Sequence, residues 1–461
     1  MQYRTNTING IFFNIQSFFS KGHARSIKAK KNIAASFVTK GLNVFIGLLL
    51  VPMAINYVNP TQYGIWLTLS SIIGWFNLFD LGLGNGLRIK LSEAMAVNDV
   101  KQARIYISTT YFILTLMMLG IYILFIFINP VLNWALILNA DSSLTEELKL
   151  LTFYLITFFA VRLVVDLVKT ILIADQKIAL NGFIGLISNI ISLFAVIVLT
   201  HTTSGSLLYL GISYSAIPLI IGLIASLILY IKKYKQYRPS VKYINLSKTK
   251  DLANLGLKFF FIQITAIIIF SSDNIIITQV LNPLEVTKYN IAQKYFSIIL
   301  AFYVVVLVPF VPAYAEAYFK NELEWIKSIV RKSQKFWLLS VGIVLIMMVF
   351  SNSFYKIWIG EEIQISILLS FFMGLNVIIN MWSSIYAPLI NGIGKISLSL
   401  YLSGFSIILN IPLSIYFAKN LGLGSVGVIL ATIFCVGLVS IFTCIQFYKI
   451  INNSSAGIWN R

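Results

Sequence analysis

Apolar runs long enough to cross a membrane alternate with short polar segments along almost the whole chain. A helix needs about 20 mostly apolar residues to cross the hydrocarbon core of a bilayer. The runs fall at 36–58, 64–86, 104–128, 149–173, 180–200, 206–231, 256–281, 289–315, 334–358, 363–390, 395–418 and 424–447. The pattern predicts an all-α polytopic membrane protein with about 12 transmembrane helices.

The composition agrees with a membrane protein and excludes an ordinary soluble one. Hydrophobic residues make up 58% of the 461 residues and charged residues 11%, whereas soluble domains carry about 25% charged residues. In a soluble chain the net charge of +19 would suggest a nucleic-acid partner. In a membrane protein, Lys and Arg collect in cytoplasmic loops instead, so no nucleic acid is expected to bind.

The basic residues are unequally divided between the two sides of the predicted helix bundle. With the N-terminus inside, 27 of the 35 Lys and Arg fall in inner segments and 4 in outer loops. The positive-inside rule then places both termini in the cytoplasm. The outer loops are short, the longest lying near 129–148, so no external domain is expected.

The largest inner loop, 232–255, is basic and divides the chain into two predicted six-helix bundles, 36–231 and 256–447. A basic amphipathic segment at 1–35 precedes them and a cytoplasmic tail at 448–461 follows them. The first segment places its apolar residues before its basic ones, the reverse of a signal peptide. We expect it to lie on the cytoplasmic leaflet.

The two halves carry traces of an internal repeat at an offset of 223 residues. The matched pairs are Asn59-Pro60 with Asn282-Pro283, Glu93-Ala94 with Glu316-Ala317, and Asn98-Asp99 with Asn321-Glu322. Both halves start on the inner side, so the two bundles would be parallel. Parallel repeats occur in transporters that hold the substrate path between their halves.

Several charged side chains lie inside the apolar runs, where each costs about 2.5–3.5 kcal/mol at a helix centre. The cations are Lys40, Arg162, Lys169 and Lys294, and the carboxylates are Asp80, Asp166 and Asp273. The excess of cations favours an anionic substrate, because phosphate in a low-dielectric cavity needs charged partners. The carboxylates are candidates for proton or sodium coupling, or for ion pairs.

Three of these residues, Arg162, Asp166 and Lys169, share one helix face because their spacings are four and three. One interpretation is a structural ion pair between Arg162 and Asp166. The other is a cavity face that Lys169 makes net positive. The sequence leaves both open.

The stretch WFNLFDLGLGNGLRIK at 75–90 places Asp80 before three glycines and Arg88. Its glycine spacing does not match a dinucleotide fingerprint, and no strand is predicted before it. Glycines near the end of a span permit either close helix packing or a local break. A break would free backbone groups to line a cavity.

The same region carries a family resemblance. YGIWLTLSSIIGWFNLFDLGLGNGLRIKLSEAMAVND, residues 63–99, resembles the second span and following loop of bacterial polysaccharide flippases. These are the O-antigen (Wzx-type) transporters of the multidrug/oligosaccharidyl-lipid/polysaccharide exporter superfamily. APLINGIGKI at 387–396 and LGLGSVGVILATI at 421–433 look like patterns of that superfamily.

The resemblance implies a V-shaped pair of six-helix bundles that alternate access to the two sides. Members move an undecaprenyl-diphosphate-linked oligosaccharide, such as the O-antigen repeat unit of lipopolysaccharide biosynthesis, across the bacterial cytoplasmic (inner) membrane. We expect Lys40 and Arg88 near the inner mouth of a cationic path, with Arg162, Lys169 and Lys294 deeper or further out. The expected partners are this lipid-linked oligosaccharide, membrane lipid, H+ or Na+, and other polysaccharide assembly proteins.

Other functions fit the sequence less well. A drug or cation exporter of the same superfamily would need an acidic, aromatic cavity, which the excess of cations disfavours. A polysaccharide polymerase or ligase would need a large outer loop with catalytic residues, so the protein is expected not to be an enzyme. Cys435, Cys444, His23 and His201 lack the spacing of a metal site, and no cofactor is expected.

Overall fold

A computed structural model describes residues 24–307 and 310–460, apart from the side chains at 24–34, 36, 253–259, 261–263, 265–270 and 311–312. The main helices are α1 (Ala24–Val58), α2 (Pro60–Trp75), α3 (Leu83–Ala96), α4 (Val100–Ile128), α5 (Thr145–Val165), α6 (Leu167–Ala174), α7 (Ile178–Thr202), α8 (Leu207–Ile228), α9 (Thr249–Val280), α10 (Pro283–Leu307), α11 (Phe310–Phe319), α12 (Leu323–Trp358), α13 (Ile367–Gly392), α14 (Ser397–Ile415) and α15 (Ser425–Ile451). The described part of the chain contains no strand. Most of the predicted amphipathic segment, residues 1–23, lies outside it.

The prediction of an all-α polytopic membrane protein is confirmed. Within the described residues, ten helices are long and apolar enough to cross a membrane, and the bent pair α2 and α3 would make an eleventh span. The seventh predicted run coincides with α9, whose side chains are described only in part. The arrangement as 12 spans in two six-helix bundles stays a prediction, as do the domain boundaries.

Two predicted spans are interrupted. The second run bends by 47° between α2 and α3. The fourth run is divided at Asp166, where α5 ends and α6 begins. The eighth run was predicted to continue to residue 315; its part at 308–309 lies outside the described residues, with α10 described to Leu307 and α11 from Phe310. Apolar length alone does not reveal such interruptions, because the flanking residues stay apolar on both sides.

The offset of 223 residues also relates helix boundaries. Helices α2 and α10 begin at Pro60 and Pro283, α3 and α11 end at residues 96 and 319, and α4 and α12 begin at residues 100 and 323. The side chains of Asn59 and Asn282 cap their helices in the same way, each accepting from the backbone N–H three residues later. The repeat seen in the sequence is therefore also a repeat of helix ends.

Contacts between the first and second halves of the chain are made mainly by five helices. Helix α2 packs against both α9 and α10, α3 packs against α9, and α1 packs more lightly against α10. We call the end of the bundle where α1 meets α2 the Asn59 end, and the opposite end the Lys40 end. The boundary between α1–α2 and α9–α10 is called the seam.

The basic segment after α8 is ordered against the first half. The side chain of Arg104 on α4 donates to the carbonyl oxygen of Arg238 at 2.9 Å and lies over the ring of Tyr243. Lys233 and Tyr234 both contact the Asp175 carboxylate at 2.7 Å. Burial alone would raise the pKa of Asp175, but these two hydrogen bonds and the Lys233 charge hold that pKa below its ordinary value.

Candidate functional site

The two halves meet most closely near the start of α2 and α10. Gly64 on α2 lies directly against the carbonyl group of Pro283, and a Cβ at this glycine would be 2.6 Å from that carbonyl carbon. The hydroxyl of Thr287, which the 223-residue offset pairs with Gly64, donates to the carbonyl oxygen of Pro60 at 2.7 Å. The seam therefore has two reciprocal contacts, in which equivalent positions of the two halves face each other.

The loop between α4 and α5 crosses the seam at the Asn59 end. The side-chain amide of Asn139 donates to the carbonyl oxygens of Thr278 at 2.9 Å and Leu281 at 3.3 Å. In return, the amide of Gln279 donates to the carbonyl oxygens of Leu136 and Ile137. Each of these side-chain amides donates to backbone carbonyl oxygens of the other half of the chain, so the loop is fastened to the second half.

A tryptophan from the second half completes α1. Pro52 lacks an N–H, so the carbonyl oxygen of Leu48 has no partner from its own helix. The indole N–H of Trp358, at the end of α12, donates to this oxygen at 2.8 Å. A backbone group that lipid could not satisfy is thus satisfied by the second half of the chain.

A polar chain continues from the seam toward the bundle interior. Thr68 on α2 is hydrogen-bonded to Thr278 on α9, and Asn274 donates to the hydroxyl of Ser71 at 2.8 Å. Asn290 on α10 in turn donates to the carbonyl oxygen of the Asn274 side chain at 2.7 Å. Buried polar groups of this kind fix the register of α2 against α9 and α10, because shifting it would leave them unpaired.

Below these contacts lies a cleft between α1–α2 on one side and α10 and α13 on the other. Its volume is about 490 Å³, within the range of ligand cavities. The polar side chains that line it are Tyr63, Asn290, Gln293, Lys294, Ser297, Asn376 and Asn380, with apolar residues between them. Lys294 is the one charged residue among the residues lining this cleft, and none of them is acidic.

Lys294 is the predicted path residue that the structure places in the cleft. A Cβ on Gly47 of α1 would lie 3.2 Å from the Lys294 ammonium, so the glycine leaves room for the charge between the halves. No carboxylate within ion-pair distance of Lys294 is found among the described residues. A second cation, Lys40, lies seven residues before Gly47, about 10 Å along the helix axis, and its side chain is exposed.

Asp273 is buried in the second half behind the cleft, with 2% of its surface exposed. Tyr289 donates its hydroxyl to the Asp273 carboxylate at 2.6 Å, and the Thr432 hydroxyl lies 3.4 Å away. Asn410 donates to Thr432, while its own carbonyl oxygen is buried without a hydrogen bond among the described residues. No cation pairs with Asp273 in the described part of the chain.

Asp80 lies at the break between α2 and α3. Leu81 and Gly82 take positive φ values of 48° and 74°, and the Gly82 N–H donates to the Asp80 carboxylate at 2.7 Å. The carboxylate therefore closes the turn at this break and lies close to the N-terminus of α3, where negative charge is favoured. Gly84 also permits close packing, because a Cβ there would be 3.3 Å from Asp80. Both roles proposed for the glycines are present.

Arg162, Asp166 and Lys169 form an ion cluster around the break between α5 and α6. Asp166 lies 2.6 Å from the Lys169 ammonium and 3.5 Å from Arg162 Nε. Gly222 of α8 packs against the same carboxylate. The ion-pair interpretation thus matches the geometry, and the cluster keeps one net positive charge. None of its three members lines the cleft.

Arg88 lies half-buried on α3, toward the Lys40 end. Neither Arg88 nor Lys40 has an ion pair among the described side chains. The structure thus places Lys40 on α1 and Lys294 on α10, on facing sides of the seam, and leaves the Arg162 cluster elsewhere in the first half. Their roles, and those of the three carboxylates, stay predictions.

Sequence reasoning missed the amides of α13. Asn376 and Asn380 lie four residues apart in the tenth apolar run, and with Met373 and Val377 they form the face that lines the cleft. Two amides at helical spacing in a membrane span were a usable signal, since such groups seldom face lipid. Among the described residues, no group of three or more His, Cys, Asp or Glu has metal-binding geometry.

Comparisons with known proteins give the fold and the family. The sequence model described as "Polysaccharide biosynthesis protein" matches residues 29–318. The "Putative O-antigen export protein" of Yersinia pseudotuberculosis is 23% identical over 371 residues, 79% of this chain and 83% of the relative. The "Putative O-antigen transporter" of Salmonella typhimurium is 22% identical over 376 residues, 79% of this chain and 84% of that protein.

Solved structures similar to this chain include an inward-facing multidrug resistance MATE family transporter of the MOP superfamily. It has a TM-score of 0.69 and 14% identity, covering 91% of this chain and 96% of its own. An outward-facing MATE transporter gives a TM-score of 0.65 at 13% identity, covering 92% and 96%. These structures share the fold of this chain.

Proposed function

Because the chain belongs to the polysaccharide biosynthesis protein family, we propose that it is a flippase for a diphosphate-linked oligosaccharide. The substrate is an undecaprenyl-diphosphate-linked repeat unit, such as an O-antigen unit. It crosses the bacterial inner membrane by alternating access of the two halves. The relatives named as O-antigen export and transport proteins support this substrate class.

The observation that carries the proposal is the cleft at the seam, which holds one lysine and no acidic residue. An ammonium donates hydrogen bonds and accepts none, so it suits a phosphate oxygen. A drug exporter for organic cations would need the opposite charge in this cleft. The sugar can occupy the polar cleft while the polyprenyl chain stays in lipid, where its apolar surface remains out of water.

The proposal includes a direction of access. We place the Asn59 end outside the cytoplasm, on the strength of the uneven distribution of Lys and Arg. In that orientation the seam contacts close the outer side, and Lys40 lies on the cytoplasmic route to Lys294. A fluorescent protein fused after Arg461 should fluoresce, because it folds in the cytoplasm. An active periplasmic reporter at that position would contradict the orientation.

Coupling to H+ or Na+ is assigned to Asp273. Asp166 is neutralised by two cations and Asp80 accepts from a backbone N–H at a helix break, whereas Asp273 is buried and faces only hydroxyl groups among its described contacts. A carboxylate so placed in a membrane protein is a functional candidate by default. The Asp273→Asn variant should keep substrate binding but lose the dependence of transport on the ion gradient. Gradient-dependent transport by this variant at the wild-type rate would exclude the assignment.

The test of the function itself is made in cells depleted of the protein. Lipid extracts should accumulate single undecaprenyl-diphosphate-linked repeat units while surface polysaccharide falls. Lys294→Gln should fail to rescue at normal membrane abundance. The matched control is Lys419→Gln, which removes an exposed lysine away from the cleft and should rescue fully. Without accumulation, or with rescue by Lys294→Gln, the proposal is wrong.

A further inference from the structure

The amide side chains of the cleft have hydrogen-bonding capacity that a phosphate cannot satisfy. On α10, residues 290, 293, 294 and 297 follow each other at steps of three, one and three, so they share one face. Across the cleft, α13 presents Asn376 and Asn380. The seven polar residues lining the cleft thus divide into one cation, four amides and two hydroxyl groups.

The donors of two of these four amides are used within the protein. The Asn290 amide donates to Asn274 and to the carbonyl oxygen of Val286. The Asn380 amide donates to both the backbone oxygen and the side-chain oxygen of Asn376, at 2.8 and 3.1 Å. The side-chain oxygens of Asn290 and Asn380 accept no hydrogen bond from any described residue.

Those two oxygens require donors. A diphosphate offers only acceptor oxygens and would place like partial charges against them. A sugar offers hydroxyl groups, and an acetamido sugar adds an N–H, each of which can donate. Lys294 has the opposite property, because an ammonium only donates. The two kinds of group therefore suit different parts of one ligand.

We propose that the amides of the cleft form a subsite for the sugar joined directly to the diphosphate. The side-chain oxygens of Asn290 and Asn380 accept from the sugar, Asn376 positions the Asn380 amide, and Lys294 is the phosphate contact. This inference rests on the proposed function and deepens it. Selection would act on the first sugar of the repeat unit, because only that sugar is held beside the phosphate. A site that hydrogen-bonds a hydroxyl group of the sugar discriminates between sugars more sharply than a site that differs only in apolar bulk.

The experiment measures binding to the full-length protein in lipid nanodiscs. The probes are undecaprenyl diphosphate without sugar, and the same lipid bearing one hexose or one N-acetylhexosamine. The test variant carries both Asn376→Leu and Asn380→Leu, which keep side-chain volume and remove the amides. Asn380→Leu alone serves if the double variant does not fold, because it removes the free acceptor oxygen. The control is Asn391→Leu, at an exposed position of the same helix.

The double variant should bind the sugar-bearing lipids about tenfold more weakly, as expected for the lost hydrogen bond to the Asn380 oxygen, and the sugar-free lipid as tightly as wild type. Lys294→Gln should weaken binding of all three probes. Equal weakening for lipids with and without sugar, or no weakening, would overturn the sugar subsite while leaving the flippase proposal intact. If the wild-type protein binds none of the probes, the flippase proposal itself fails, and the subsite with it.

Discussion

Substituting Gly64 with alanine should force the two halves apart at the Asn59 end. The added Cβ would lie 2.6 Å from the Pro283 carbonyl carbon and 3.0 Å from the Thr287 hydroxyl. Ordinary carbon–carbon contacts lie at about 3.5–4.0 Å, so the chains must separate by about 1 Å. The obstacle is backbone on both sides, so no side-chain rotation relieves it.

The magnitude follows from the cost of such a clash. Forcing an extra methyl group into a close-packed contact costs typically 1–3 kcal/mol, and a backbone obstacle places this site near the upper value. About 3 kcal/mol against the closed seam changes the ratio of closed to open molecules roughly 100-fold. The control, Gly74→Ala on the same helix, meets nothing within 4 Å. Both variants gain the same helix propensity, about 1 kcal/mol, so that gain cancels between them.

The assay measures a distance across the Asn59 end by electron spin resonance. Spin labels replace the exposed residues Thr61 on α2 and Glu362 in the loop before α13, in a protein whose two native cysteines have been replaced. Gly64→Ala should move the distance distribution to longer values, and Gly74→Ala should match the parent. If both variants give the parental distribution and the same unfolding temperature, the close approach of Gly64 to Pro283 does not control closure.

Three further outcomes are expected. Trp358→Phe keeps an aromatic side chain but removes the N–H that donates to the Leu48 carbonyl oxygen. The closed state of the labelled end should therefore lose about 1 kcal/mol relative to the open state, and an unchanged distance distribution would contradict this. Asp166→Asn leaves two cations together and should lower the unfolding temperature more than Arg162→Gln, as a thermal melt would show, whereas the reverse order would argue against the cluster. The lowered pKa of Asp175 means that its bonds stabilise the fold above the ordinary pKa of about 3.9 and are lost as pH falls below it. Asp175→Asn should therefore unfold at a lower temperature than wild type at pH 7, with the difference shrinking as the pH falls below the ordinary pKa, and a constant difference would refute the pH dependence.

Much of the fold could be predicted because each membrane span is a continuous apolar run in the sequence. The apolar runs located most helices, and the 223-residue offset aligned helix ends that prove equivalent. The breaks at Asp80 and Asp166 were harder to predict, because they depend on a side-chain hydrogen bond to the backbone and on ion pairs rather than on hydropathy. Lys294 could be singled out because a charge in an apolar run is conspicuous.

The seam could not be predicted, because its partners are distant in sequence. Nothing near Gly64 indicates that it meets the Pro283 carbonyl, and nothing near Trp358 points to the carbonyl oxygen that Pro52 leaves unpaired. Similarly, Arg162 and Lys294 are both cations within apolar runs of the sequence. Only tertiary packing shows that Arg162 belongs to an ion cluster and Lys294 to the cleft. Local pattern identifies charged residues, but tertiary contacts decide which of them meet a ligand.

The reciprocal contacts of the seam bear on the origin of the chain. Two identical subunits related by a twofold axis would present every interface residue twice. In the present chain the position equivalent to Lys294 is Ser71, and the position equivalent to Asp273 is Leu50. Joining two copies in one gene allows the sides of the cleft to diverge. A single lysine on one wall, and a single buried carboxylate behind it, is an arrangement that no symmetric dimer could have evolved.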